Sequence, residues 1–220
     1  MDQSVELLVG EVGAFVVAGK PFGLIVLDTS SSMQEKRVGT VKGFNAFVER
    51  QVVDNPHLVL AVLGFDTKLR MLVPPTPIAR VPQFTMATYD PKGSGTRLLD
   101  ALGHTMRRLD RFFEALGVSG RPAKFTLGII TDGQDRDSHR YTKETIQGLL
   151  IERQERGWNV LYLGVGFDAF AEAAAMGVRA DHTMTFTGTD DGATDSFASM
   201  SMSMTDLSRG GSGAVDSSSS

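Results

Sequence analysis

The chain has 220 residues, 41% hydrophobic and 22% charged, the balance of a soluble globular protein with length for one large α/β domain. It has no cysteine, which excludes disulfides, a thiolate metal site and a cysteine nucleophile and is compatible with a reducing cytoplasm. A net charge of −4 argues against a nucleic-acid-binding surface. Its excess sits in residues 190–220, where Asp190, Asp191, Asp195, Asp206 and Asp216 face Arg209 alone.

Residues 1–20 admit two readings, an edge hairpin or short helix against a sheet, or an extension preceding the domain. The apolar run Gly13–Gly19 is far too short to span a bilayer. No Lys or Arg precedes it, so it lacks the basic start of a signal peptide. Phe22 to Leu27 (FGLIVL) then reads as a buried strand, a continuous apolar run entered through Pro21. It stops at Asp28-Thr29-Ser30-Ser31-Ser32-Met33. A carboxylate followed by hydroxyls at the end of a parallel strand suits a hard, oxygen-seeking cation. Equally, the serines can cap the helix that follows.

Val41, Phe44, Val48 and Val52 recur at helical spacing and predict an amphipathic helix, with Phe44 and Phe47 in the core. His57 to Phe65 is a second buried strand. Asp66-Thr67 reads as a hairpin turn into an antiparallel edge strand over Lys68 to Val73. Pro74, Pro75, Pro77 and Pro82 predict an irregular crossing loop. Asp90 to Thr96 (DPKGSGT) is a loop that places a hydroxyl, Thr96, at the start of a helix. That helix, Arg97 to Leu116, has Leu98, Leu102, Met106, Leu109, Phe113 and Leu116 on one face, and Gly117 ends it. His104 within it reads as structural or surface.

Phe125 to Ile130 is another apolar strand, with Gly128 allowing a helix to approach closely. It ends in Thr131-Asp132-Gly133, and Asp132 to Asp137 reads as a solvated turn, since its glycine is misplaced for a Ca²⁺ loop. Helix Thr142–Arg156, strand Trp158–Val165, a helix capped by Asp168 and running to Met176, and strand Asp181–Phe186 follow. Phe197, Met200, Met204 and Leu207 are spaced for a C-terminal helix. Ser208–Ser220 is low-complexity and reads as disordered. The alternation predicts a doubly wound, mostly parallel sheet with helices on both faces.

Taken together, Asp28-x-Ser30-x-Ser32, then Thr96, then Asp132 resembles the metal-ion-dependent adhesion site (MIDAS) of the von Willebrand factor A (vWA) family. All five positions are filled, each at a strand end or helix start. The resemblance covers roughly residues 20–190 and is especially close to stand-alone bacterial vWA proteins, which share the run Gly43-Phe44-Asn45-Ala46-Phe47 and the Thr-Asp-Gly turn. It implies residues 21–190 as a vWA (Rossmann-like) domain with one antiparallel edge strand, which the candidate C-terminal helix, 191–207, follows. It also implies Mg²⁺ (or Mn²⁺) touched by the hydroxyls of Ser30, Ser32 and Thr96, with Asp28 and Asp132 acting through water. A position is left for an Asp or Glu of a protein partner. Partners of MoxR-type AAA+ ATPase systems and a cytoplasmic adaptor role follow from the same resemblance, and no catalytic activity is expected, since nothing in the sequence supplies a nucleophile with an oriented base. A surface adhesin is one alternative. A Mg²⁺-dependent phosphohydrolase of the haloacid dehalogenase type is another, but it needs a second Asp where Ser30 stands. No phosphate-binding Gly-x-x-x-x-Gly-Lys loop or Gly-x-Ser-x-Gly elbow is present.

Overall fold

The computed structural model describes residues 17–133, 135–165, 169–186 and 190–210. Within them six strands form one sheet in the order β3-β2-β1-β4-β5-β6. They are β1 (Pro21–Asp28), β2 (Val59–Phe65), β3 (Leu69–Pro77), β4 (Lys124–Thr131), β5 (Trp158–Val165) and β6 (Thr183–Phe186). All pairings are parallel except β2 with β3. The helices are α1 (Arg37–Asp54), α2 (Leu98–Gly120), α3 (Lys143–Glu155), α4 (Ala169–Ala175) and α5 (Asp190–Arg209). No helix among the described residues is long and apolar enough to cross a membrane.

The apolar run of β1 is explained by burial on both sides. Phe22, Leu24 and Val26 join the core under α2, α3 and α4, while Ile25 and Leu27 join the core under α1 and α5. Successive strand residues point to opposite faces, so a strand covered twice has no polar position to spare. The chain runs from β1 through β2 to β3 on one side, then crosses to β4 on the other side of β1. The crevice beyond β1 and β4 is therefore the switch point at which open α/β sheets bind ligands.

Four local expectations change. The prolines after Val73 lie within an edge strand, because β3 continues to Pro77. Pro74 and Pro75 occupy a register irregularity, between the pairs Val62↔Val73 and Leu60↔Thr76. An edge strand has one side with no ladder to donate to, and a bulge relieves the other, so the missing N–H groups are tolerated. In α1 the buried face is Phe44, Phe47, Val48 and Gln51, whereas Val52 is exposed. The expected strand from Asp181 opens instead with a 3-10 turn, Ala180–His182, before β6. Ser208 and Arg209 belong to α5: Asn55 donates to Ser208 Oγ (3.0 Å) and Arg209 to the Asp54 carbonyl. Gly117 does break α2, with φ of 61°, a left-handed backbone that favours glycine. Residues 1–16, Asp168 and 211–220 lie outside the described residues.

α5 seats itself where side chains are missing. A Cβ on Gly128 would lie 2.4 Å from Met200 Cε, and one on Gly43 would lie 2.4 Å from Phe197. Fully buried Gln51 donates from Nε2 to the Ser201 carbonyl (2.8 Å), Ser201 Oγ (2.7 Å) and Thr205 Oγ1 (2.9 Å). This satisfies polar atoms that would otherwise cost about 1–3 kcal/mol each.

Candidate metal centre

At the end of β1 the chain turns sharply, and Asp28 organises the turn. Its Oδ1 accepts the Ser30 N–H (2.8 Å) and its Oδ2 accepts the Thr131 hydroxyl from the end of β4 (2.7 Å). Tyr89, fully buried, donates its hydroxyl to the Asp28 carbonyl (2.8 Å). Thr29 donates both its N–H and its hydroxyl to the Phe65 carbonyl at the end of β2. Burial pushes the Asp28 carboxyl above its ordinary range, against the opposing hydrogen bonds from Thr131 and Ser30. Asp28 is completely buried with no salt bridge among the described residues.

From there the hydroxyls run in a chain. Ser30 Oγ lies 2.9 Å from Ser32 Oγ, and Ser32 donates to Asp132 Oδ1 (2.7 Å) just past β4. Asp132 Oδ2 takes the Lys36 ammonium at 2.6 Å, and Lys36 also donates to the Ser32 carbonyl. Ser31 to Lys36 form a 3-10 turn, and Ser30 makes no side-chain cap hydrogen bond there. Its hydroxyl is directed to Ser32, so helix capping does not account for the serines.

Thr96 arrives by a separate route. Gly93 bridges to the serine loop, accepting from Ser31 N–H (2.9 Å) and donating to the Thr29 carbonyl (3.0 Å). A Cβ at Gly93 would fall 2.2 Å from Asp66 Cβ, so only glycine lets the loops approach this closely. Thr96 itself is buried, its N–H donating to Asp137 Oδ2 (2.8 Å). Among the described residues its hydroxyl has no hydrogen bond to the other four.

The loop after Asp132 is exposed at Arg136 and Asp137, as a solvated turn would be, but its side chains also engage the head of α2. Arg97, at the head of α2, makes no side-chain cap hydrogen bond, and the orphan N–H groups there are satisfied from elsewhere. Asp137 takes Thr96, the Asp66 carbonyl takes Arg97, Asp135 takes Leu99 and Ser138 Oγ takes Asp100. In return Asp100 accepts the N–H groups of Arg140 (2.9 Å) and Tyr141 (3.1 Å). Asp135, Asp137, Thr131 and Lys36 are the site residues that sequence reasoning missed. Lys36 carried one usable signal, its place four residues after Ser32 on the same turn.

The donor set fits a small, hard cation. No cluster of three or more His, Cys, Asp or Glu is found among the described residues, so the oxygens are chiefly hydroxyls. Adjacent ligands of an octahedral ion with bonds of 2.0–2.1 Å stand about 2.9 Å apart, whereas Ca²⁺ bonds would separate them by about 3.3–3.7 Å. The 2.9 Å between Ser30 and Ser32 Oγ is the length of their own hydrogen bond, a spacing that an octahedral ion of this size can also bridge. The centre also holds two buried carboxylates against one ammonium, which leaves a charge to neutralise.

No family model and no curated protein matches the sequence. Among solved structures, proximal thread matrix protein 1 of the mussel byssus, with a zinc-occupied MIDAS motif, superposes with a TM-score of 0.59 at 16% identity over 86% of this chain and 48% of its own. The pilus adhesin SpaC from Lactobacillus rhamnosus GG in its open conformation gives 0.62 at 13% identity over 87% and 30%. A von Willebrand factor type A structure from Catenulispora acidiphila gives 0.57 at 16% identity over 85% and 43%. The chain thus spans less than half the length of each of these three structures. At these identities the likeness speaks for fold, and with the strand order and the single antiparallel edge it makes the chain a vWA-like α/β domain.

Proposed function

We propose that the protein is a metal-dependent docking module, in which Mg²⁺ or Mn²⁺ bridges this chain to an acidic side chain of a protein partner. Ser30, Ser32 and Thr96 serve as direct ligands, and Asp28 and Asp132 act through water. The observation that carries this reading is the 2.9 Å pair of serine hydroxyls, hydrogen-bonded onward to Asp132. Neutral ligands leave the ion most of its charge, and a partner carboxylate is the natural guest for the open position. The zinc-occupied MIDAS of the byssus protein supports a divalent ion at such a site. The likeness to a pilus adhesin supports binding rather than catalysis.

The resemblance to stand-alone bacterial vWA proteins supports a cytoplasmic adaptor working beside a MoxR-type AAA+ ATPase. The likeness to a pilus adhesin favours a surface adhesin as the second reading. A pull-down with Mg²⁺ followed by chelator elution separates them by what is released. Thr96→Ala tests the mechanism, because it removes a ligand and leaves both Asp charges in place. Binding should fall with chelation, with Thr96→Ala and with an Asp→Asn or Glu→Gln change in the partner, and the combined losses should be less than additive. Capture that survives chelator at full strength refutes the metal bridge.

A further inference from the structure

Beside the metal centre, between the end of β2, the first turns of α2 and the loop before α3, lies a separate cavity of about 310 Å³. Its wall carries Lys68, Arg97, His104, Arg108, His139 and Arg140, and Phe65 and Ala101 form an apolar floor. Among the described residues only two carboxylates line it, and both are engaged. Asp66 is bound by Arg70 at 2.7 Å and by the Lys68 N–H. Asp100 is bound by backbone N–H groups of residues 139–141 and lies 3.6 Å from the His139 ring. Among the described residues Lys68, Arg97, Arg108 and Arg140 form no salt bridge. Arg97 Nε is buried with no hydrogen-bond partner.

A concentration of unpaired guanidinium groups facing one cavity is electrostatically unfavourable unless an anion enters. The field is strong enough to act on a neighbour: burial first, then the charge of Arg140, holds the His104 imidazolium below its usual pKa. Guanidinium forks match phosphate oxygens in bidentate geometry. Several converging cations call for more charge than one carboxylate brings. The volume lies at the lower end for small-molecule sites, with room for a phosphate and a compact organic group over the Phe65 floor.

We propose that this cavity binds a small phosphate-bearing molecule, with Arg97, Arg108 and Arg140 holding the phosphate. The site is distinct from the metal centre and rests on no part of the docking function.

The test titrates the full chain, in chelator so that bound metal contributes nothing, with inorganic pyrophosphate and with ribose 5-phosphate. Isothermal calorimetry and thermal shift are the readouts. Saturable binding and a raised Tm are expected from both probes. Arg97→Gln and Arg140→Gln should each weaken binding by about tenfold, the loss of one charge-assisted contact. Arg140 is exposed, Arg97 Nε has no hydrogen-bond partner, and neither side chain is in a salt bridge among the described residues, so both variants should fold. Arg50→Gln, which removes a cation outside the cavity, should bind as wild type. The proposal is overturned by absence of saturable binding at millimolar probe, by equal binding in the Arg97 and Arg140 variants, or by succinate binding as tightly as the phosphates.

Discussion

Lys36 is the internal competitor of any cation at the metal centre, and Lys36→Met measures how strongly it competes. Its ammonium lies 2.6 Å from Asp132 Oδ2, with the Lys side chain 22% exposed and the Asp side chain 1% exposed. A hydrogen bond to a charged group in such a setting contributes about 1.5–3 kcal/mol. A divalent ion that needs Asp132 for its water must first displace the ammonium. Removing Lys36 should therefore tighten Mg²⁺ binding by about 10–100-fold at low salt, with the difference narrowing as salt rises. The metal-free variant should melt lower than wild type, since Asp132 is left buried with only Ser32 as donor, and Mg²⁺ should restore it. Calorimetric titration of Mg²⁺ together with melting curves reads both effects, and Lys36→Arg, which keeps a cation, should stay near wild type. Equal or weaker Mg²⁺ affinity in Lys36→Met would show that the ion does not compete for Asp132.

Three further outcomes are expected. Mg²⁺ should raise the Tm of wild type modestly through mass action, and Asp132→Ala should abolish the rise; an equal rise in both places the ion elsewhere. Asp110→Ala should cost about 2–3 kcal/mol in urea denaturation, because it strips the carboxylate from Arg153, whose side chain is only 4% exposed; a loss under about 0.5 kcal/mol would mean that Glu152 compensates. Truncation after Gly210 should leave Tm unchanged, whereas truncation before Ser208 should lower it by removing the contacts to Asp54 and Asn55; equal Tm values would show that those contacts contribute nothing.

The sheet and the cluster of oxygens at the ends of β1 and β4 were legible in the sequence for the same reason. A strand buried on both faces reads as an unbroken apolar run, so the carboxylates that end β1 and β4 stand out against it. The register of β3 was not legible, because proline forbids a ladder bond only on the side where a partner lies, and sequence does not say which side is bare. The clasp between α2 and the 135–141 loop was also hidden. It joins residues about forty positions apart, and no local pattern links Asp137 to Thr96 or Asp100 to Arg140. In α1 the buried polar residue Gln51 took the position that an apolar count gave to Val52, since its partners lie on α5.

The prolines of β3 bear on how the molecule meets others. A sheet edge normally offers a row of free amide and carbonyl groups on which another chain can add a strand or start to aggregate. With Pro74, Pro75 and Pro77 in β3, that edge has gaps in its donor row, and a register irregularity interrupts its regularity. The opposite edge, β6, has only four residues. Strand addition is thus disfavoured at both edges of the described sheet.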